Sequence, residues 1–177
     1  MKFETFIKGE TVDLVLLTEE IAAKTDWYSW FNDQKLTKLL KQGYFPNTPE
    51  DQVLYFKKNI ESGKRLQLGV VIKKINKFIG VVSLSEINHY DRNAEISSIF
   101  NINSKHINSL KFFKEAQVLL INHAFNKLNL RRIGSFVSDK KLAKLNQKIF
   151  GFKCEGQLKE RDYINGKFVD KYILSIL

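Results

Sequence analysis

The chain has 177 residues, is 44% hydrophobic, and carries 29 Lys and Arg against 19 Asp and Glu, a formal charge of +10. That length and apolar share suit one domain with a sizeable core and exclude a disordered or collagen-like chain. No apolar run is long enough to span a bilayer, the N-terminus lacks a secretory pattern, and the lone Cys154 excludes an intrachain disulfide and a cysteine-rich metal site, so the expected address is cytoplasmic.

In chain order, Thr11 to Leu17 alternates as a first strand with Val12, Leu14 and Leu16 on one face. Thr18-Glu19-Glu20 reads as a helix start, with a threonine cap and acids in the first turn, and the helix is predicted to run on through Trp27, Tyr28 and Trp30 to Phe31. Asn32-Asp33 breaks it, and Gln34 to Lys41 reads as a second, short helix. Gly43 to Pro49 is a loop, because each proline disfavours helix in the residue before it. Thr48 then caps a third helix with Pro49 at its first position, ending near Glu61 ahead of Gly63.

Leu66–Lys73 and Lys77–Ser85 read as two strands whose nearly continuous apolar residues mark them as central and buried. Asn93 to Ile102 is a further strand, with Ala94, Ile96, Ser98 and Phe100 sharing a face. After a polar loop, Ser109 to Leu128 reads as a helix with an apolar stripe of Leu110, Phe113, Ala116, Leu120, Ala124 and Leu128. Arg131–Ser138 is a strand, and Lys140–Ile149 a helix with Leu142, Leu145 and Ile149 on its apolar face, closed by Gly151. Phe152–Tyr163 and Lys167–Leu177 form a hairpin about Asn165-Gly166, the two-residue signal for a type I′ turn. The order of elements implies one α/β domain over 1–177, with a mixed central sheet of about seven strands flanked by helices. A strand feeding a helix through a short polar loop suits an anionic ligand, since the first helical turn carries unpaired N–H groups and partial positive charge.

Several stretches resemble the GCN5-related N-acetyltransferases, in particular the branch that acetylates ribosomal-protein N-termini, polyamines and amino sugars. They are Arg-Asn-Ala-Glu-Ile at 92–96, Glu115-Ala116, Ala-Phe-Asn-Lys-Leu-Asn-Leu-Arg-Arg-Ile at 124–133, Phe-Gly-Phe-Lys-Cys-Glu-Gly at 150–156 and the run at 162–170. Trp30-Phe-Asn-Asp33 is similar to the branch's acceptor-side helix. The resemblance implies acetyl transfer from acetyl-CoA to a small-molecule primary amine: an amino sugar on a nucleotide, with a protein N-terminus or a polyamine behind it. A homodimer is compatible with it; no membrane, metal or nucleic-acid partner is expected, since His89, His106 and His123 form no ligand grouping and no aromatic-interleaved nucleic-acid motif occurs. The positive charge has four readings: the phosphates of coenzyme A, a nucleotide-linked acceptor, RNA, or a lysine-rich solvated surface.

The resemblance places the coenzyme on Ile99, Phe100, Asn101 and Ile102 of the strand, on Asn108, Ser109, Leu110, Lys111 and Phe112 at the following loop and helix, and on Lys140 and Lys141. The family's loop carries small residues that let backbone N–H groups approach phosphate; here no glycine occurs between Gly80 and Gly134, and Phe113 stands at one of the small positions. Either Asn108, Ser109 and Lys111 hold the coenzyme through side chains, or Phe113 is core and the fold is a catalytically silent binding domain. Glu95 matches the branch's strand glutamate and would be the base if it faces the cleft; the alternative is a strand carboxylate paired with a lysine. Gln147 stands where many relatives carry a tyrosine acid, and can hydrogen-bond but not give up a proton at neutral pH. Trp30, Asn32, Phe45 and Tyr163 are the implied acceptor contacts.

Overall fold

Apolar runs separated by turn residues commit most of the chain to strands. The computed structural model describes residues 1–38, 40–101 and 109–177, without the side chains at 41, 42 and 109. Its strands are β1 (Thr5–Lys8), β2 (Val12–Leu16), β3 (Leu66–Ile72), β4 (Lys77–Asn88), β5 (Asn93–Phe100), β6 (Arg132–Val137), β7 (Lys153–Ile164) and β8 (Lys167–Ile176). They form an eight-stranded sheet in the order β1-β2-β3-β4-β5-β6-β8-β7. Every neighbouring pair is antiparallel except β5 and β6. Parallel neighbours need a crossover, and α4 (Ser109–Asn126) supplies it.

The alternation of side chains along the strands divides the apolar residues between two layers. Val12 and Leu14 of β2, Leu68 and Val70 of β3, and Ala94 and Ile96 of β5 pack under Ala116, Leu120 and Ala124 of α4 and Ala143 of α5 (Lys140–Phe150). On the opposite face, Val15, Val71, Phe78 and Val81 meet α1 (Glu19–Lys24), α2 (Trp27–Trp30) and α3 (Pro49–Glu61) through Ile21, Trp27, Trp30 and Phe56. Thr48 and Asp51 close a capping box at the start of α3. Asn165 and Gly166 both take positive φ, as the β7–β8 turn requires.

Four local expectations are corrected. The predicted helix to Phe31 is two short ones, because the Thr25 hydroxyl donates to the Ile21 carbonyl at 2.6 Å and the backbone breaks there. Gln34–Lys38 is turn rather than helix: the Asp33 carboxylate accepts from the Lys35 amide at 2.7 Å, and a 3-10 turn follows only at Lys41–Tyr44. On α5 the deeply buried residues are Ala143 and Asn146, whereas Leu142 stays partly exposed. The strand β1, whose Phe3, Thr5 and Ile7 alternate weakly, was not anticipated and adds an edge beyond β2.

The edge is fastened by Glu115 of α4. Its carboxylate accepts from the backbone N–H groups of Glu10 (2.5 Å) and Thr11 (2.8 Å) and from the Thr11 hydroxyl. Burial pushes this carboxyl up, but the hydrogen bonds from Thr11, Val12 and Glu10 outweigh it and hold the pKa below the ordinary glutamate value. Gly9 is required beside it, since a Cβ there would lie 2.6 Å from Glu115 Oε1 and 2.2 Å from the Val12 carbonyl oxygen. A depressed carboxylate pKa stabilises the fold above the unfolded value, and that stabilisation is lost as pH falls through the folded one. Glu115→Ala should therefore lower unfolding stability by about 2 kcal/mol at pH 7 in urea titrations, with a smaller difference at pH 3.

Candidate active site

β5 and β6 run side by side for only three residue pairs: Asn93 with Arg132, Ala94 with Ile133 and Glu95 with Gly134. Beyond them β5 continues along β4 as far as Phe100, and β6 continues along β8. The two carboxyl ends diverge, and a cleft of about 160 Å3 opens between them. Ile96, Ser97 and Ser98 form one wall and Ser135, Phe136 and Val137 the other. Phe113 and Gln117 of α4, and Leu142, Asn146 and Phe150 of α5, close one side, while Leu40 reaches in from the loop before α3. Crevices at the carboxyl ends of parallel strands are where open α/β sheets take ligands.

Phe113 does not fill this opening. Its ring meets Phe100 edge-on at 5.4 Å and Phe150 at 5.7 Å, so it is held in the wall by aromatic neighbours. The strand residues lining the cleft are 96–98, beginning three residues before the coenzyme positions 99–102 inferred from the sequence. Ile99 packs toward α1–α3, and Asn101 donates to the Asp26 carboxylate at 3.2 Å. Lys111 and Phe112 line a different depression, with Lys73, Lys74 and Ile75, and Leu110 stands exposed at the helix start. Ile102 and Asn108 lie outside the described residues, as does the side chain of Ser109. Lys140 and Lys141 are exposed at the start of α5, whose first N–H groups are already taken by the Asp139 carboxylate.

Gln147 turns back on its own helix, donating to the Ala143 carbonyl at 3.2 Å, which removes it from the position of an acid. One residue earlier, Asn146 borders the cleft, is 8% exposed, and its Oδ1 has no hydrogen-bond partner. A buried amide oxygen in that state is unfavourable unless something else supplies a donor. Gln117, by contrast, is satisfied on the β5 side, donating to Ser98 Oγ at 2.8 Å. Sequence reasoning missed Asn146 because the Leu142–Leu145–Ile149 stripe hid it. The available signal was a polar residue three places from Ala143 on the face that turned out to be inward.

Glu95 projects on the side of the sheet away from α4, in a shallow depression with Glu86, Asn93, Arg132, Gly134 and Phe136. Phe136 borders both this depression and the cleft, so the two spaces share a wall. Partial burial raises the Glu95 pKa, and the neighbouring Glu86 charge raises it further, against the opposing charges of Lys171 and Arg65. Glu95 makes no ion pair with the described residues; Lys171 is instead bonded to Asp162 at 2.8 Å. The lysine-paired alternative therefore does not hold.

The implied acceptor residues separate. Trp30 is 2% exposed and stacked on Phe78, so it offers no surface to a ligand. Asn32 is occupied on both sides of its amide, donating to the Asn47 carbonyl (2.8 Å) and accepting from the Asn47 N–H (2.7 Å). Phe45 is 81% exposed, and Tyr163 lies at the hairpin tip, its ring tilted at 58° to that of Phe168 and its carbonyl accepting from the Tyr44 hydroxyl. Among the described residues no three His, Cys, Asp or Glu side chains group as metal ligands, and no helix is long and apolar enough to cross a membrane.

A family model described as an acetyltransferase (GNAT) domain matches residues 13–145. The chain belongs to the GNAT acetyltransferase family. It is an acyltransferase. It is 23% identical over 151 residues to the N-acetyltransferase p20 of Bacillus licheniformis, covering 84% of this chain and 83% of that one. Its fold is similar to that of spermidine N-acetyltransferase from Vibrio cholerae, solved with CoA and spermine, with a TM-score of 0.81 and 23% identity over 94% of this chain and 95% of the other. It is equally similar to RimL, a ribosomal-protein alpha-N-acetyltransferase solved with coenzyme A, with a TM-score of 0.83 and 17% identity over 98% of each chain.

The cleft fits the thioester end of an acyl-coenzyme: it is narrow, aromatic-walled, and holds an amide oxygen lacking a donor. Asn146→Leu separates ligand binding from packing. The variant should be more stable than the parent by about 1 kcal/mol, because an orphaned polar group is removed, yet bind coenzyme A about tenfold more weakly. Thermal melts with and without coenzyme check both signs.

Proposed function

We propose that this chain transfers the acetyl group of acetyl-CoA directly to a primary amine, with Glu95 as the base. The acceptor we favour is an amino sugar carried on a nucleotide, ahead of a protein N-terminus. The observation that carries the reading is the shared wall at Phe136, which sets an unpaired carboxylate beside the mouth of the strand-divergence cleft.

Acetyl-CoA supplies an activated thioester. The chain's residues do the rest. Ser135, Asn146 and the walls of β5 and β6 hold the donor's arm and exclude water, so that the amine meets it oriented. The Glu95 carboxylate takes a proton from the ammonium, directly or through one water; its exposed setting lets that proton pass to solvent. With Gln147 tied to Ala143, the leaving thiolate is protonated by solvent rather than by a tyrosine. The formal charge of +10 favours an anionic acceptor over a polyamine, whose cations it would repel.

Calorimetry with acetyl-CoA tests the donor: folded protein giving no heat at millimolar coenzyme would remove the proposal. Glu95→Gln should lower kcat/KM about 100-fold or more with the fold intact. Because Glu95 works only when ionised and its pKa is raised, the rate should fall on acidification at a pH above the ordinary glutamate range. Glu86→Gln removes a like charge and should move that acidic limb to lower pH; Lys171→Met removes an opposing one and should move it higher. A pH profile indifferent to both variants would show that another group sets the limb.

A further inference from the structure

Where the loop after α2 folds back on α3, a pocket of about 200 Å3 is lined by Phe31, Phe45, Pro46, Asn47, Gln52 and Tyr55. That volume is below the range of drug-sized ligand sites and suits one ring system. No charged side chain lines it, so an ammonium group would find no carboxylate there. Three aromatic rings and a proline do line it, and Phe45 leaves most of its ring in water. Large exposed rings beside a pocket mark a recognition surface.

One polar group specifies what the ring must carry. Gln52 is 1% exposed, and its Nε2 has no partner. Its orientation is fixed by the network around it. Asn47 Nδ2 donates to the Tyr28 carbonyl at 3.2 Å, which identifies that atom as nitrogen. The Gln52 atom 2.9 Å from the same Nδ2 must then be the oxygen. The remaining amide nitrogen is a buried donor awaiting an acceptor. On the other wall, Tyr55 accepts from Arg65 at 2.7 Å, and Arg65 is close enough to Glu95 for its charge to influence that carboxylate. The pocket and the base are thus linked through one cationic side chain.

We propose that this pocket receives the nucleobase of a nucleotide-linked acceptor: the ring packs against Phe45 and Tyr55, a base carbonyl or ring nitrogen accepts from Gln52 Nε2, and Arg65 faces the phosphates. This rests on Glu95 and the adjoining cleft being the transfer site. A phenylalanine side chain would fill the pocket without satisfying Gln52, and a polyamine would do neither.

The test is calorimetric titration of the full chain, in the presence of coenzyme A, with UMP, AMP and spermine. At least one nucleotide should bind with sub-millimolar affinity, and spermine should give no saturable heat. Phe45→Ala, at an exposed site that cannot unfold the protein, should weaken nucleotide binding about tenfold. Gln52→Leu should weaken it similarly while raising the melting temperature. Saturable spermine binding without nucleotide binding overturns the proposal, as does nucleotide binding that neither variant changes. Titration of coenzyme A alone on the same sample separates the two levels. Coenzyme binding without nucleotide binding defeats this inference only; no coenzyme binding defeats the transfer reading beneath it.

Discussion

The structure depends on two parallel strands that part company. A sheet gains most from continuous pairing, and β5 and β6 abandon it after Glu95 and Gly134. Each is held to its other neighbour: β5 to β4 through Phe100, β6 to β8 through Val137. The unpaired stretch between them is flanked by α4 and α5, which approach from one face with Phe113 and Phe150 in edge-on contact. That aromatic pair borders the cleft left by the divergence.

Unsatisfied polar atoms are distributed in keeping with this. A buried donor or acceptor without a partner is unfavourable, and folded proteins contain few. Of six such side-chain atoms among the described residues, two border hollows: Asn146 Oδ1 at the strand divergence and Gln52 Nε2 beside the aromatic pocket. One lacks a donor, the other lacks an acceptor, so the two hollows call for different chemistry. The other four, the indole nitrogens of Trp27 and Trp30, Asn59 Nδ2 and Gln67 Oε1, border neither hollow.

Much of the fold was legible in the sequence because periodicity and turn chemistry agreed. The Asn165-Gly166 hairpin, the Thr48 cap and the Ala116, Leu120 and Ala124 positions of the α4 stripe each follow from local rules that tertiary packing did not override, whereas Leu110 at the head of that stripe stays exposed. The break at Thr25 and the turn at Gln34–Lys38 were missed because Thr25 and Asp33 carry side chains that bond their own backbone, which apolar spacing does not register. The site was legible only by position. Resemblance singled out Glu95 on β5, and no local rule could say that Lys171 would be claimed by Asp162. Asn32 and Trp30 matched the acceptor-side pattern, yet one is consumed by Asn47 and the other by Phe78. Those contacts are long-range and leave no mark in a window of sequence.

The tip of the β7–β8 hairpin reaches the loop before α3. Tyr44 donates its hydroxyl to the Tyr163 carbonyl at 2.8 Å, and Asn165 Nδ2 donates to the Lys38 carbonyl at 2.9 Å. These bonds join positions 119 and 127 apart in the chain. During synthesis the early segment therefore emerges long before its partner exists. The earlier strands and helices leave the ribosome ahead of this hairpin, so the contact at Lys38 and Tyr44 closes only after the hairpin has followed. Until then Tyr44 and the Lys38 carbonyl are without these two partners.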